Sequence, residues 1–262
     1  MIHIMLVPYL TPQTVMQARF TVNPRPQWSL AIMCFRESSS CGILIDTFKA
    51  VPLPSYKIFY GIDAEGTSRQ VFQADIGGHQ VGIITGLSWG GPQAAILVEE
   101  LAHLEVKTII GYGLAGAINP RLKKGDPIVA SSSLPSDGTS KAYSHSNQPI
   151  VNGDESLLNL VEELFRENGI CAHAVCAANI DALYRETTAL IEEFVSKGAD
   201  IVNMETSALY TAALACGVSS IWLGHISDIL QHGEWEDWNT DPVLTNRNTA
   251  AICYKLVHRL CL

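Results

Sequence analysis

The sequence predicts a single-domain α/β fold of three layers, α/β/α, with a central mixed, largely parallel sheet. Three observations lead there. From Trp28 onward, apolar runs rich in β-branched residues alternate with stretches at helical spacing, the order that gives strands covered by helices. The 262 residues are 47% hydrophobic and 16% charged, enough apolar material for a sizeable core. No internal repeat, low-complexity tract or linker divides the chain, so residues 28–262 are expected as one domain and 1–27 as an N-terminal arm.

The elements follow in order. "WSLAIMCF" (28–35) is a continuous apolar run of strand length, and "SCGILIDTFKAV" (40–51) follows as a helix. "YKIFYGI" (56–62), "RQVFQADI" (69–76) and "HQVGIITGL" (79–87) read as strands through their β-branched and aromatic residues. Over 91–105, Ala94, Leu97, Val98, Leu101 and Leu104 recur at helical spacing, and Pro92 suits the first turn. "KTIIGYGLAGAINPRLKKGDPIV" (107–129) reads as a strand, a small-residue turn and a return strand. Between Gly111 and Ile118 the phenol of Tyr112 is the one polar side-chain group. "ESLLNLVEELFRENG" (155–169) is an amphipathic helix ended by Gly169. Strands at 172–180, 200–205 and 220–227 then alternate with helices at 187–198 and 206–217, and the chain closes on a helix over 245–262.

Composition narrows the function classes. A net charge of −9 disfavours nucleic acid as a partner, because phosphate backbones require a basic face; a small anionic substrate needs only a local positive site. No apolar run is long enough to span a bilayer, so no membrane partner is expected. The first 20 residues start apolar but lack a basic leader and a small-residue cleavage site. The seven cysteines form no C-x-x-C pair and sit mostly in apolar runs, which fits free thiols in a reducing cytoplasm. Metal-ligand spacing, a G-x-S-x-G elbow and a P-loop lysine are also absent, so no metal or organic cofactor is implied.

In open α/β sheets ligands bind beyond the carboxyl ends of strands, and four segments stand there. "TGLSWGGPQAA" (85–95) feeds a helix, where backbone N–H groups favour an anion; a tight turn needing glycine explains it equally. "GYGLAGA" (111–117) lacks the dinucleotide spacing and reads on its own as a crowded turn. "VNMETSALYTAA" (202–213) puts Glu205 at a helix start. There it either complements the helix dipole or accepts hydrogen bonds from a vicinal diol over Met204. "WLGHISDILQHGEW" (222–235) places Asp228 after an apolar strand, as a turn-starting Asp or as an acid whose pKa a partly desolvated site raises. His225 reads as a core histidine; His145 and His232 are loop residues of either kind.

Together the four segments resemble the nucleoside phosphorylase superfamily, which holds purine nucleoside phosphorylases, uridine phosphorylases and methylthioadenosine nucleosidases. The likeness runs over roughly 28–260 and includes "NIDALYRET" (179–187), similar to that family's base-pocket region. It implies a nucleoside phosphorylase-like domain and cleavage of an N-glycosidic bond. Glu205 would grip the ribose hydroxyls, with Met204 and Asn203 beside the sugar. Asp228, preceded by Ser227, would protonate N7 of the base, which tilts the reading to a purine. Ile180, Leu183 and Tyr184 would line the base pocket, and Ala115 and Gly116 would shape the substrate site. Asp181 and Arg185 would either reach the base or pair with each other, the pair being favoured.

For the acceptor, Arg36 with Gly90 and Gly113 would serve phosphate, or Glu37 would activate water. Gly111 and Leu114 stand where the family's phosphorylases carry an Arg and a hydroxyl residue, which leans the reading slightly to water. Alternatives are a phosphate-dependent purine nucleoside phosphorylase with a rebuilt anion site and an inactive nucleoside-binding protein. Trp235 and Trp238 would either close over a base or serve a subunit contact. The family's members imply a homo-oligomer, dimer or hexamer, in the cytoplasm.

Overall fold

A computed structural model describes residues 8–21, 24–36, 38–53, 58–59, 70–143, 149–236 and 243–262. The elements in chain order are α1 (Pro12–Gln17), β1 (Leu30–Cys34), α2 (Ser38–Phe48), β2 (Val51–Pro52), β3 (Val71–Ile76), β4 (His79–Ile84) and α3 (Gly91–His103). There follow β5 (Thr108–Ala117), β6 (Pro127–Leu134), α4 (Gly138–Tyr143), β7 (Val151–Asn152), α5 (Glu155–Glu167) and β8 (His173–Asn179). The rest are α6 (Thr188–Ser196), β9 (Ile201–Asn203), α7 (Thr206–Cys216), β10 (Ser219–Gln231), β11 (Glu234–Glu236) and α8 (Val243–Leu260).

The strands form one mixed sheet in the order β11-β10-β6-β8-β9-β5-β1-β4-β3-β2, with β7 beside β6. Its centre is parallel: β4, β1, β5 and β10 pair in the same direction. Because β10 also pairs with β5, strands β5, β10, β6, β8 and β9 close on themselves as a small barrel. Strands β1, β4, β3 and β2 continue from β5 as an open sheet, and β7 and β11 add to β6 and β10.

Side chains alternate across β1, so its two faces feed two cores. Leu30, Ile32 and Cys34 pack with Leu44 of α2, Val161 of α5 and Leu256 of α8. Ala31 and Met33 pack with Leu97 of α3 and Leu209 of α7. This is the three-layer arrangement the alternation of periods predicts. Local signals set the helix ends: Asp154 caps α5 by accepting from the Leu157 N–H at 3.1 Å, and Gly169 follows it at φ 64°. Within the arm, α1 lies on α3 with Met16 fully buried, and Arg19 donates to the carbonyl of Ile58 at 2.6 Å. Ile58 and Phe59 are buried outside any strand, and the rest of the strand expected over 56–62 lies outside the described residues.

The expected turn over 111–117 is not a turn. Thr108–Ala117 is one continuous strand, and its glycines answer to a side chain far along the chain. A Cβ at Gly111 would meet Trp222 Cδ1 at 2.6 Å, and one at Gly113 would meet Trp222 Cζ2 at 2.9 Å. One at Gly224 would sit 2.4 Å from the Gly113 carbonyl oxygen. The buried indole of Trp222 thus fills the room these glycines leave. On the opposite face Tyr112 is buried and donates its hydroxyl to the Asn246 carbonyl at 3.3 Å. Gly113→Ala is expected to destabilise the fold by about 1–3 kcal/mol through overpacking. Thermal unfolding would read this as a lowered midpoint, and an unchanged midpoint would remove Trp222 as the reason for the glycine.

Among the described residues no helix is long and apolar enough to cross a membrane. All seven cysteines are free thiols, four of them buried and Cys171 exposed.

Candidate active site

The ends of β5, β9 and β10 converge on a cavity of about 300 Å³. That is the lower end of the roughly 300–1,000 Å³ common for small-molecule sites. Leu114, Ala115 and Gly116 of β5 form one wall. Val202, Asn203, Met204 and Glu205 form the next, where β9 gives way to α7. Ser227, Asp228 and Leu230 enter from β10, Phe35 and Arg36 from the chain after β1, and Trp89 from the turn before α3. Leu183 and Glu186 close the cavity from the segment after β8.

Glu205 is buried at the start of α7, and its Oε1 accepts from the Gly90 N–H at 3.0 Å. Gly90 holds that N–H at φ 118°, a conformation that L side chains rarely adopt. Gly90 therefore orients Glu205 and does not line the cavity. Burial pushes the Glu205 carboxyl up to about 7, while the N–H groups of Gly90 and Met204 pull the other way. Asn203 serves the helix start as well as the wall: its Nδ2 donates to the Thr206 hydroxyl at 2.5 Å.

Asp228 sits where the register of β10 shifts against β5 between Ile226 and Asp228, an irregularity of the kind that re-aims side chains. The Ser227 hydroxyl donates to its Oδ1 at 2.5 Å, and the Trp235 indole N–H donates to its Oδ2 at 3.0 Å. A Cβ on Gly116 would meet Leu230 Cδ1 at 2.4 Å and Asp228 Oδ2 at 3.3 Å, so glycine there makes room for both. Glu186 follows a 3-10 turn (Leu183–Arg185) and is half-buried. Burial, and then the negative charge of Asp228, push its carboxyl up to about 7. The cavity thus holds two neighbouring carboxyl groups, and burial together with the Asp228 charge favours the protonated form of Glu186.

Arg36 is 5% exposed. Its Nη2 donates to Ser40 Oγ at 2.8 Å, and its Nη1 lies 3.4 Å from His225 Nδ1. Ser40 also accepts from Asn246 Nδ2 at 3.1 Å. These contacts aim a buried guanidinium at the cavity wall.

Of the residues expected at the site, the cavity brings together Asp228, Ser227, Glu205, Met204, Asn203, Leu183, Ala115, Gly116 and Arg36. Tyr184 is outside it, 97% exposed, because the 3-10 turn rotates its ring to solvent. Ile180 packs instead with Phe194 of α6 and Val202. Gly113 lies under the Trp222 indole and does not line the cavity. Asp181 accepts from the Gly138 N–H at 2.7 Å, and among the described residues it forms no ion pair with Arg185. Glu37, His145 and Trp238 fall outside the described residues. The sequence reading missed Glu186, Trp89, Phe35 and Leu230. Glu186 was the most accessible of these, standing in the quoted "RET" stretch.

A family model for the phosphorylase superfamily matches residues 49–260. The chain belongs to that superfamily. It is an enzyme of the nucleoside phosphorylase superfamily. An uncharacterized protein of Acanthamoeba polyphaga mimivirus is 29% identical over 90% of this phosphorylase-superfamily chain and 89% of its own length. A guanosine phosphorylase of Halorubrum lacusprofundi is 28% identical over 60% of the chain, which spans only 65% of that relative. A solved uridine phosphorylase of Vibrio fischeri superposes with a TM-score of 0.72 at 20% identity, covering 88% of this chain and 91% of that one. At that identity the likeness concerns the fold.

Proposed function

We propose that the protein cleaves the N-glycosidic bond of a purine nucleoside, with phosphate as acceptor. One observation carries the reading: a single cavity gathers a buried guanidinium, Arg36, with two carboxylates, Glu205 and Asp228. Glu205 accepts from the ribose hydroxyls and Met204 packs against the sugar. A phosphate oxygen held by Arg36 forms a bond to C1′ as the bond from C1′ to the base breaks. The electron pair leaves with the base, and a proton from the Asp228–Glu186 pair neutralises it at N7. The products are the free base and a sugar 1-phosphate.

The lean to water rested on Gly111 and Leu114: Gly111 faces the Trp222 indole and not the cavity, while Leu114 lines the cavity and brings no hydroxyl to it. Arg36 in the cavity wall supports phosphate instead. The relatives include guanosine and uridine phosphorylases alike, and Asp228 in the cavity wall supports a purine base.

The test is chromatography of free base from adenosine, inosine, guanosine and uridine, each with and without phosphate. Purine release that requires phosphate is the expected result. Release without phosphate would overturn the acceptor, and release of uracil alone would overturn the base. Arg36→Met should raise the KM for phosphate roughly 10- to 100-fold, the scale of a lost hydrogen bond to a charged group.

A further inference from the structure

Helix α7 starts from Glu205, the position whose side chain ordinarily accepts a hydrogen bond from a first-turn N–H of its own helix. Glu205 makes no such bond: its Oε1 takes the Gly90 N–H at 3.0 Å, and the residue lines the cavity. The capping comes from other residues. Asn203 Oδ1 accepts from the Thr206 N–H at 3.4 Å, and Asn179 Oδ1 accepts from the Ser207 N–H at 3.1 Å. Parallel pairing of β8 with β9 sets Asn179 opposite Asn203 and so brings it to the foot of α7.

Ser207 has a second anchor. Its hydroxyl donates to Oδ2 of Asp137, which is 1% exposed. Asp137 stands just before α4. Its Oδ1 accepts from the Ser140 N–H at 2.7 Å and its Oδ2 from the Ser140 hydroxyl at 2.6 Å. One carboxylate thus ties the start of α4 to the start of α7, whose N-terminus favours negative charge. The start of α3 packs against both: a Cβ on Gly91 would meet Thr139 Oγ1 and Ala208 Cβ, each at 3.0 Å. The Gly90 N–H that Glu205 accepts is therefore fixed against the same two helices. Neither Asp137 nor Asn179 lines the cavity.

We propose that Asp137 and Asn179 are positioning residues for Glu205: they hold the first turn of α7, so that the Glu205 carboxylate serves the sugar and not its own helix. This rests on the assignment of Glu205 to the ribose hydroxyls. A carboxylate tied to its own helix has fewer lone pairs for a diol. A buried N–H left unpaired is costly, so loss of Asn179 should draw Glu205 from Gly90 to the Ser207 N–H.

The experiment measures kcat and KM for Asn179→Ala and Ser207→Ala, alone and combined with Glu205→Gln or Asp228→Asn. The substrate is whichever of adenosine, inosine and guanosine the parent cleaves fastest, at saturating phosphate. Each single variant should raise the KM for nucleoside roughly 10-fold, the scale of one hydrogen bond to a charged group, and change kcat less than about 3-fold. In the Glu205→Gln background the same substitutions should cost less than about 2-fold, and in the Asp228→Asn background the full penalty should return. Ser207→Ala removes a single oxygen and carries the comparison alone if Asn179→Ala fails to fold. A penalty of equal size in both backgrounds, or a loss confined to kcat, would overturn the positioning role and leave the sugar assignment of Glu205 intact. If no nucleoside releases base, that assignment falls, and crystal structures of the variants decide on positioning alone. Glu205 displaced from the Gly90 N–H upholds the inference, and Glu205 unmoved overturns it.

Discussion

Asp228→Asn is expected to lower kcat by roughly 10²- to 10⁴-fold, the usual worth of a positioned acid, with KM changed only a few-fold. The substitution is nearly isosteric, and the local hydrogen bonds can survive it. The amide oxygen can face the Trp235 indole N–H, which lies 3.0 Å from Oδ2 in the native site. The amide NH₂ then faces Ser227, whose hydroxyl accepts and turns its own proton to the Ala115 carbonyl, 3.2 Å away. On the proposed mechanism, what is lost is the group assigned to the base at N7. The variant should also move Glu186: without the Asp228 charge, the part of its upward shift that comes from repulsion disappears. Steady-state kinetics across pH reads both effects. An unchanged kcat would remove Asp228 from the reaction.

Glu205→Gln is expected to lower kcat/KM for nucleoside by roughly 10- to 100-fold, since a hydrogen bond to a charged acceptor is worth about 1.5–3 kcal/mol. The Gln oxygen can still accept from Gly90, so the loop before α3 should keep its place. The native carboxyl is pushed up to about 7, so its charged, diol-accepting form dominates only above that pH. The KM for nucleoside should therefore rise as pH falls through about 7, and this dependence should vanish in the Gln variant. Stability should move the opposite way. The folded state holds the proton more tightly than the unfolded chain does. The contribution is thus complete below the ordinary glutamate range and is lost as pH rises to about 7. At pH 8 the Gln variant should melt no lower than the parent. A clear drop in its midpoint there would show that the charge supports the fold.

Much of this was legible along the chain because the signals are local. The capped helix after Asp154 and the carboxylates placed just after strands, Glu205 and Asp228, each follow from a few consecutive residues. What the sequence hid depends on residues far apart. Gly111 and Gly113 mimic a turn, yet the cause is the Trp222 ring, more than a hundred positions away and brought alongside by the pairing of β10 with β5. Glu186 reads as a surface glutamate, and only its closeness to Asp228 marks it out. Tyr184 has the composition of a pocket residue, but the turn that carries it points the ring outward.

Asp228 and Glu205 hang from a ring of strands with no free edge, one within β10 and the other just past β9. In a ring, sliding one strand by a residue breaks its ladders with both neighbours and turns every side chain to the wrong face. Backbone hydrogen bonding therefore holds the span between the two carboxylates, whatever happens to the surrounding side chains. Divergence in what such a protein accepts is channelled into the segments around the ring: the turn before α3, the stretch after β8, and the hairpin that carries Trp235. On the proposed function, substitutions in those pieces should change which nucleoside is accepted and leave the span between the two carboxylates in place.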